Sequence, residues 1–224
     1  MPTPIIVFDL DGTLIDTAPD LVDSLNMILA REDLPTVPYE TARNLIGGGT
    51  RRMIARGIEV DGRMVPPEKF EQMFVDFVAH YSAHIANRSR PFPGLTDALD
   101  VLAADGFRFA VCTNKLERLS RLLLDALGLT PRFAAICGQD TFGAQKPDPD
   151  VLHRTIAAAG GTVERAIMVG DSETDIRTAR AAGIPIIAVD FGYTEVPVAK
   201  LRPDHIISHF AQLPNAVCAI SLPD

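Results

Sequence analysis

Two aspartates stand two positions apart at the end of an apolar run, in "IIVFDLDGTLIDT", residues 5–17. Thr113 ends a second such run, "FAVC", and Asp171 ends a third, "AIMVG". Side chains at strand ends converge when the strands lie side by side, so Asp9, Asp11, Thr113 and Asp171 form one candidate cluster. Three of the four are carboxylates. In a poorly solvated site they repel one another, and one stays protonated unless a positive charge compensates. A divalent cation removes that problem, and an all-oxygen ligand set favours magnesium over zinc. Lys146, in "GAQKPDP", is the obvious further positive charge, held on a proline-flanked loop.

Each residue also has a plainer reading. Asp9 and Asp11 can serve as turn formers after a strand. Thr113 and Asn114 can cap a helix, and so can Asp171 or Ser172. Lys146 can be an ordinary solvated lysine, and Asp175 one residue of a solvated helix face. Gly47, Gly48 and Gly49 can merely link two helices. His80 and His84 have metal-like i, i+4 spacing, but without a third ligand nearby they read as exposed helix residues.

The elements that must position the cluster follow from periodicity. "IIVF", "FRFAVCTN", "FAAICG", "AIMVGD", "IPIIAVD" and "HIIS" are short β-rich runs. Between the later ones lie helical segments, "RLSRLLLDALGL" with Gly128 as its stop, "DPDVLHRTIAAAG" and "DIRTARAAG". Strands alternating with helices imply a parallel, layered α/β sheet covered on both faces. The segment from about Pro19 to Asn87 differs. "LVDSLNMILARE" and "KFEQMFVDFVAHYSAHI" repeat apolar residues at helical spacing, with the glycine-rich "IGGGTRRMIARG" between them. No clear strand interrupts this segment, which ends at the linker "RSRPFPG". It reads as an all-helical insertion between the first strand and the rest of the sheet.

Composition narrows the partners. The chain has 224 residues, 47% hydrophobic and 22% charged, with a formal net charge of -8. That acidity argues against a nucleic-acid or anionic-membrane surface. No apolar run has the length to span a bilayer, and the N-terminus lacks the pattern of a signal peptide. A cytoplasmic protein is expected, as a monomer or weak homodimer. Cys112, Cys137 and Cys218 are irregularly spaced and read as buried reduced thiols.

Taken together, "DLDGT", "TN", the lysine before "PDP", and "GDSETD" resemble, in order, the four motifs of the haloacid dehalogenase superfamily. The resemblance implies a Rossmann-like three-layer parallel core, residues 1–16 and 90–224, with an inserted all-helical cap domain, residues 17–89. It implies magnesium, held by Asp9, Asp11 (through its backbone carbonyl) and Asp171, and a phosphorylated Asp9 as intermediate. Asp11 would be the acid and base, Thr113, Asn114 and Lys146 the phosphate-binding groups, and Asp175 an orienting residue for metal waters or Lys146.

Departures within the superfamily refine the expectation. Dehalogenases lack the second aspartate. Phosphonate hydrolases use a cap lysine, whereas residues 47–57 hold arginines and no lysine. Sugar phosphomutases usually read Glu-Asp at Gly170-Asp171 and valine at Thr13. "TNK" with "GDSETD" is most similar to the phosphoglycolate phosphatase branch. That similarity implies 2-phosphoglycolate as substrate, with Gly48, Gly49, Thr50 and Arg51 or Arg52 meeting its carboxylate. Other small phosphate esters, pyrophosphate, a mutase reaction and a non-catalytic phosphate-binding module are the alternatives.

Overall fold

The computed structural model describes residues 3–60 and 62–222. Strand β1 (Ile5–Phe8) is followed by a two-residue strand, β2 (Ile15–Asp16). Four helices come next: α1 (Ala18–Arg31), α2 (Tyr39–Ala42), α3 (Thr50–Glu59) and α4 (Pro67–Ala83). The chain returns through β3 (Arg90–Pro91) and α5 (Leu95–Ala104). It then alternates: β4 (Arg108–Cys112), α6 (Glu117–Ala126), β5 (Phe133–Cys137), α7 (Pro149–Ala158), β6 (Ala166–Gly170), α8 (Glu173–Ala182), β7 (Ile186–Val189), β8 (His205–Ile207) and α9 (Leu213–Cys218).

The main sheet has six strands in the order β5-β4-β1-β6-β7-β8, and every neighbouring pair is parallel. Strand β1 sits near the centre with all four side chains buried. Alternation sends Ile6 and Phe8 to one face and Ile5 and Val7 to the other. Helices α7 and α8 cover the second face, through Leu152, Ile156, Ile176 and Ala179. The first face carries α5, α6 and α9, through Leu99, Leu123 and Val217. The fold is therefore the expected three-layer α/β arrangement. Each fully buried Ile, Val or Phe contributes about 1.5–3 kcal/mol. Burial on that scale along β1 offsets the cost of desolvating Asp9 at its end.

Helices α1, α3 and α4 pack together between β2 and β3. Leu25, Ile28 and Leu29 of α1 meet Met53 and Ile54 of α3 and Phe77 and Tyr81 of α4 in one apolar cluster. Gly57 permits close packing of α3 on α1, since a Cβ there would sit 3.0 Å from a Leu25 methyl. The two ends of this helical segment are joined by β2 and β3, which pair antiparallel as Ile15 with Pro91 and Asp16 with Arg90. That ribbon was not expected. Strands of two residues, one of them a proline, carry no periodic signal.

Two smaller expectations change, at Cys218 and at His80. Cys218 is exposed, whereas Cys112 and Cys137 are buried and free. It ends a short amphipathic helix whose buried positions are Leu213, Ala216 and Val217. Burial pushes the Cys112 thiol up to about 12, which makes it a packing residue. His84 is exposed, but His80 is half-buried, with its Nδ1 3.0 Å from the Ser24 hydroxyl and its ring stacked on His84.

Candidate active site

Sheet register brings the candidate residues together. Asp9 continues β1, and its N–H donates to the Val169 carbonyl of β6 at 2.9 Å. The chain then reverses tightly: the N–H groups of Leu14 and Ile15 both donate to the Leu10 carbonyl at 3.0 Å. Thr113 follows β4, bonded through its N–H to the Cys137 carbonyl of β5 at 3.1 Å. Asp171 follows β6 directly. Lys146 reaches the same place from the loop between β5 and α7. Asn114 fixes that loop, accepting from the Lys146 N–H at 2.9 Å and donating to its carbonyl at 3.1 Å. The Asn114 side chain thus grips the lysine backbone, a role the sequence did not suggest.

Beneath the strand ends lies a charge cluster. Lys146 Nζ stands 2.6 Å from Asp175 Oδ1 and 2.9 Å from Asp9 Oδ1. The contact with Asp9 is an ion pair without hydrogen-bond geometry, so Asp9 Oδ1 keeps unsatisfied lone pairs in a buried position. Asp171 accepts from the Thr13 hydroxyl and from the Tyr193 N–H, each at 2.7 Å. Asp175 is fully buried, which excludes the solvated-face reading. It accepts from the Ser172 N–H at 3.0 Å and hydroxyl at 2.6 Å, closing a capping box at the start of α8.

Carboxylate oxygens of Asp9, Asp171 and Asp175 lie within 4.8 Å of one another. Three carboxylates against the one ammonium of Lys146 leave two negative charges in excess. Burial, reinforced by the Asp175 and Asp9 carboxylates, pushes Asp171 up to about 8. Burial also raises Asp9, to about 6, although Lys146 opposes the rise. For Lys146 burial works against the charge, but Asp175 and Asp9 outweigh it and hold the ammonium firmly protonated. A cluster so short of positive charge, with an orphaned Asp9 oxygen and only oxygen donors, fits a divalent cation of the magnesium type.

Above Asp9 a cavity separates the sheet edge from the helices. Asp9, Asp11, Thr113, Asn114 and Lys115 form its floor, and Leu21, Ile46, Gly47, Gly49, Thr50 and Met53 its roof. Gly49 brings the start of α3 close to the core, for a Cβ there would lie 2.9 Å from Gln139 Oε1 and 3.0 Å from the Asn114 carbonyl. Residues 6–189 match the family described as haloacid dehalogenase-like hydrolase. The chain belongs to the haloacid dehalogenase-like hydrolases.

Among its relatives is the phosphoglycolate phosphatase of Mesorhizobium japonicum, 51% identical over 213 residues, covering 95% of this chain and 94% of the relative. The phosphoglycolate phosphatase of Agrobacterium fabrum is 47% identical, covering 96% and 92%. A crystal structure of a predicted phosphoglycolate phosphatase from Haemophilus somnus superposes with a TM-score of 0.88 at 29% identity, covering 95% of this chain and 97% of that one. This hydrolase is accordingly a phosphoric monoester hydrolase. No helix among its described residues is long and apolar enough to cross a membrane.

The hydrolase site also departs from the expected residue set. Arg51 does not line the cavity. Its guanidinium makes two hydrogen bonds to Glu71, at 2.6 and 2.8 Å, and lies 4.1 Å from the Phe74 ring centroid. Gly48 and Arg52 line outer clefts instead. On α3, successive residues point about 100° apart, so the glycine turn alone does not say which arginine faces inward. Two residues were missed. Lys115, third in the quoted "TNK", donates to Asp11 at 2.9 and 3.1 Å. Tyr193 binds Asp171 through its N–H, while its hydroxyl bonds Asp16 and accepts from the Ala18 N–H at 3.0 Å. Lys115 carried a usable signal, a lysine directly after a strand-end pair. Tyr193 carried none, standing far from every motif in sequence.

Gly12 offers a sharp test of this packing. Its φ is +83°, and a Cβ there would lie 2.6 Å from Asp171 Oδ2 and 2.8 Å from the Tyr193 ring. Gly128 shares the left-handed backbone, at φ +69°, but has nothing within 4 Å. Strain alone costs roughly 1–2 kcal/mol, and each kcal/mol lowers Tm by about 2–4 °C in a chain of this size. Gly128→Ala is expected to lose a few degrees of Tm and keep its activity. Gly12→Ala is expected to lose more and to drop phosphatase activity at least about tenfold, because Asp171 is displaced. Thermal melts paired with activity assays decide. Equal behaviour of the two variants would contradict the close packing.

Proposed function

We propose that this hydrolase cleaves 2-phosphoglycolate to glycolate and phosphate through an aspartyl-phosphate formed on Asp9. The observation that carries the reading is the placement of Asp9 and Asp11 together on the floor of one small roofed cavity. In this reading a carboxylate oxygen of Asp9 attacks phosphorus, and the bond from phosphorus to the ester oxygen breaks in line. The carboxyl proton of Asp11 passes to that departing oxygen. Asp11 then takes a proton from the water that attacks phosphorus and frees Asp9. Thr113 and the Asn114 backbone hold phosphate oxygens, and Lys146 neutralises charge beside them. Asp171, with Asp9 and the Asp11 backbone carbonyl, would hold magnesium, with Asp175 orienting Lys146. When bound, the cation supplies charge neutralisation for the phosphoryl group.

Residues 17–89 act in this proposal as a cap over a core of residues 1–16 and 90–224. Contacts between the two support closure over the cavity. Arg56 of α3 pairs with Glu195, and the Arg43 guanidinium lies 5.4 Å from the Tyr193 ring centroid. A closed apolar roof suits a small metabolite and excludes water. The relatives named phosphoglycolate phosphatase, at 51% and 47% identity, support the substrate. Ranking kcat/KM over 2-phosphoglycolate, pyrophosphate and hexose phosphates, with magnesium present, tests it. The expected order places 2-phosphoglycolate first. A hexose phosphate or pyrophosphate in first place would overturn the substrate while leaving phosphatase chemistry intact.

A further inference from the structure

Neither arginine expected at the substrate carboxylate lines the cavity: Arg51 is bound to Glu71 and Arg52 faces outer clefts. Among the described residues lining the cavity, Lys115 is the single cationic side chain. Arg52 and Arg177 line outer clefts and not this cavity, and three nearer cations are held by carboxylates. Lys146 is held between Asp9 and Asp175, Arg51 by Glu71, and Arg56 by Glu195. Lys115 is only 4% exposed. Its Nζ donates to both oxygens of Asp11, at 2.9 and 3.1 Å, and lies 4.5 Å from the ring centroid of Tyr81 on α4. The ammonium is thus fixed between the sheet edge and the helices, beside the group assigned to the leaving oxygen.

We propose that Lys115 is the specificity-determining residue that binds a substrate carboxylate standing one carbon beyond the ester oxygen. It rests on the 2-phosphoglycolate reading above. In that substrate a single methylene separates the ester oxygen from the carboxylate. Groups that contact the two must therefore be neighbours, as Asp11 and Lys115 are. An ammonium has three N–H donors. Two point to Asp11 here, which leaves capacity for a substrate oxygen. The remaining wall, Leu21, Ile46 and Met53, is apolar and offers a longer hydroxylated chain no partner. The start of α3, with no side chain capping Gly49, adds favourable backbone N–H groups on the same side.

The test compares 2-phosphoglycolate with ethyl phosphate, which has the same two carbons and a methyl in place of the carboxylate. Wild type is expected to prefer 2-phosphoglycolate. Lys115→Met is expected to lower the ratio of the two kcat/KM values by about ten- to a hundredfold, the worth of a charge-assisted hydrogen bond. Lys115→Arg should restore most of the ratio, and Lys115→Gln serves if the methionine variant does not fold. Loss of Asp11's partner lowers both substrates together, so only the ratio reports recognition. An unchanged ratio in Lys115→Met or Lys115→Gln, with wild type preferring 2-phosphoglycolate, overturns the role of Lys115 alone. A wild type without that preference overturns the substrate reading, and Lys115 with it.

Discussion

Asp9→Asn is expected to fold as well as wild type and to turn over phosphate esters at least about 10^4-fold more slowly, since an amide cannot serve as the nucleophile. Folding should survive for a reason visible in the site. Lys146 keeps its 2.6 Å contact with Asp175 when Asp9 loses its charge. Asp9 itself is pushed by burial up to about 6, so the ionised form is already disfavoured where it stands. Replacing it by a neutral isostere relieves repulsion within the carboxylate cluster. The expected pair of results is a Tm equal to or above that of wild type and an activity at background. Circular dichroism melts and a phosphate-release assay measure both. Retention of wild-type turnover by pure Asp9→Asn would remove the covalent mechanism.

Legibility from sequence followed the range of the interactions. Asp9 and Asp171 each directly follow an apolar strand and Asp11 stands two residues after Asp9, so the strand ends themselves point these side chains to one edge of the sheet. The three-layer sheet was readable for the same reason, since its strands are short apolar runs between turn signals. Asp175 was harder. Spacing of four residues from Asp171 is compatible with a buried or a solvated position, and only the capping box with Ser172 and the contact with Lys146 settle it as buried. Arg51 was misplaced because helix phase, not the glycine turn, decides which side chain enters the cavity, and Glu71 and Phe74 on α4 complete its outward setting. Asn114 lines the cavity, but its side chain spans to Lys146, a contact no local pattern encodes. Tyr193, reaching back to Asp16 and Ala18, is the extreme of that long-range class.

Removing divalent metal is expected to abolish activity, magnesium to restore it, and calcium to inhibit, because its looser and larger coordination shell disturbs in-line geometry. A second readout needs no turnover. In the folded protein burial holds the Asp171 carboxyl at about 8, against an ordinary value of 3.8, and Asp9 at about 6. Between pH 4 and 8 the folded state then binds more protons than the unfolded chain, so the metal-free protein loses stability as pH rises through that window. Below about pH 4 both states are protonated at these groups and the effect vanishes. A bound cation favours the ionised carboxylates and removes the penalty. Metal-free protein should therefore show a Tm that falls from pH 5 to pH 8, and magnesium should raise Tm more at pH 8 than at pH 5. Asp171→Asn removes the larger titrating contribution and leaves that of Asp9, so its metal-free Tm should fall less steeply with pH than that of wild type, and its gain from magnesium should be smaller. Thermal melts at the two pH values, with EDTA or with excess magnesium, measure all of this. A magnesium-induced Tm shift equal at both pH values, or full activity in EDTA after metal removal is verified, would overturn the assignment of the carboxylate cluster to a divalent cation.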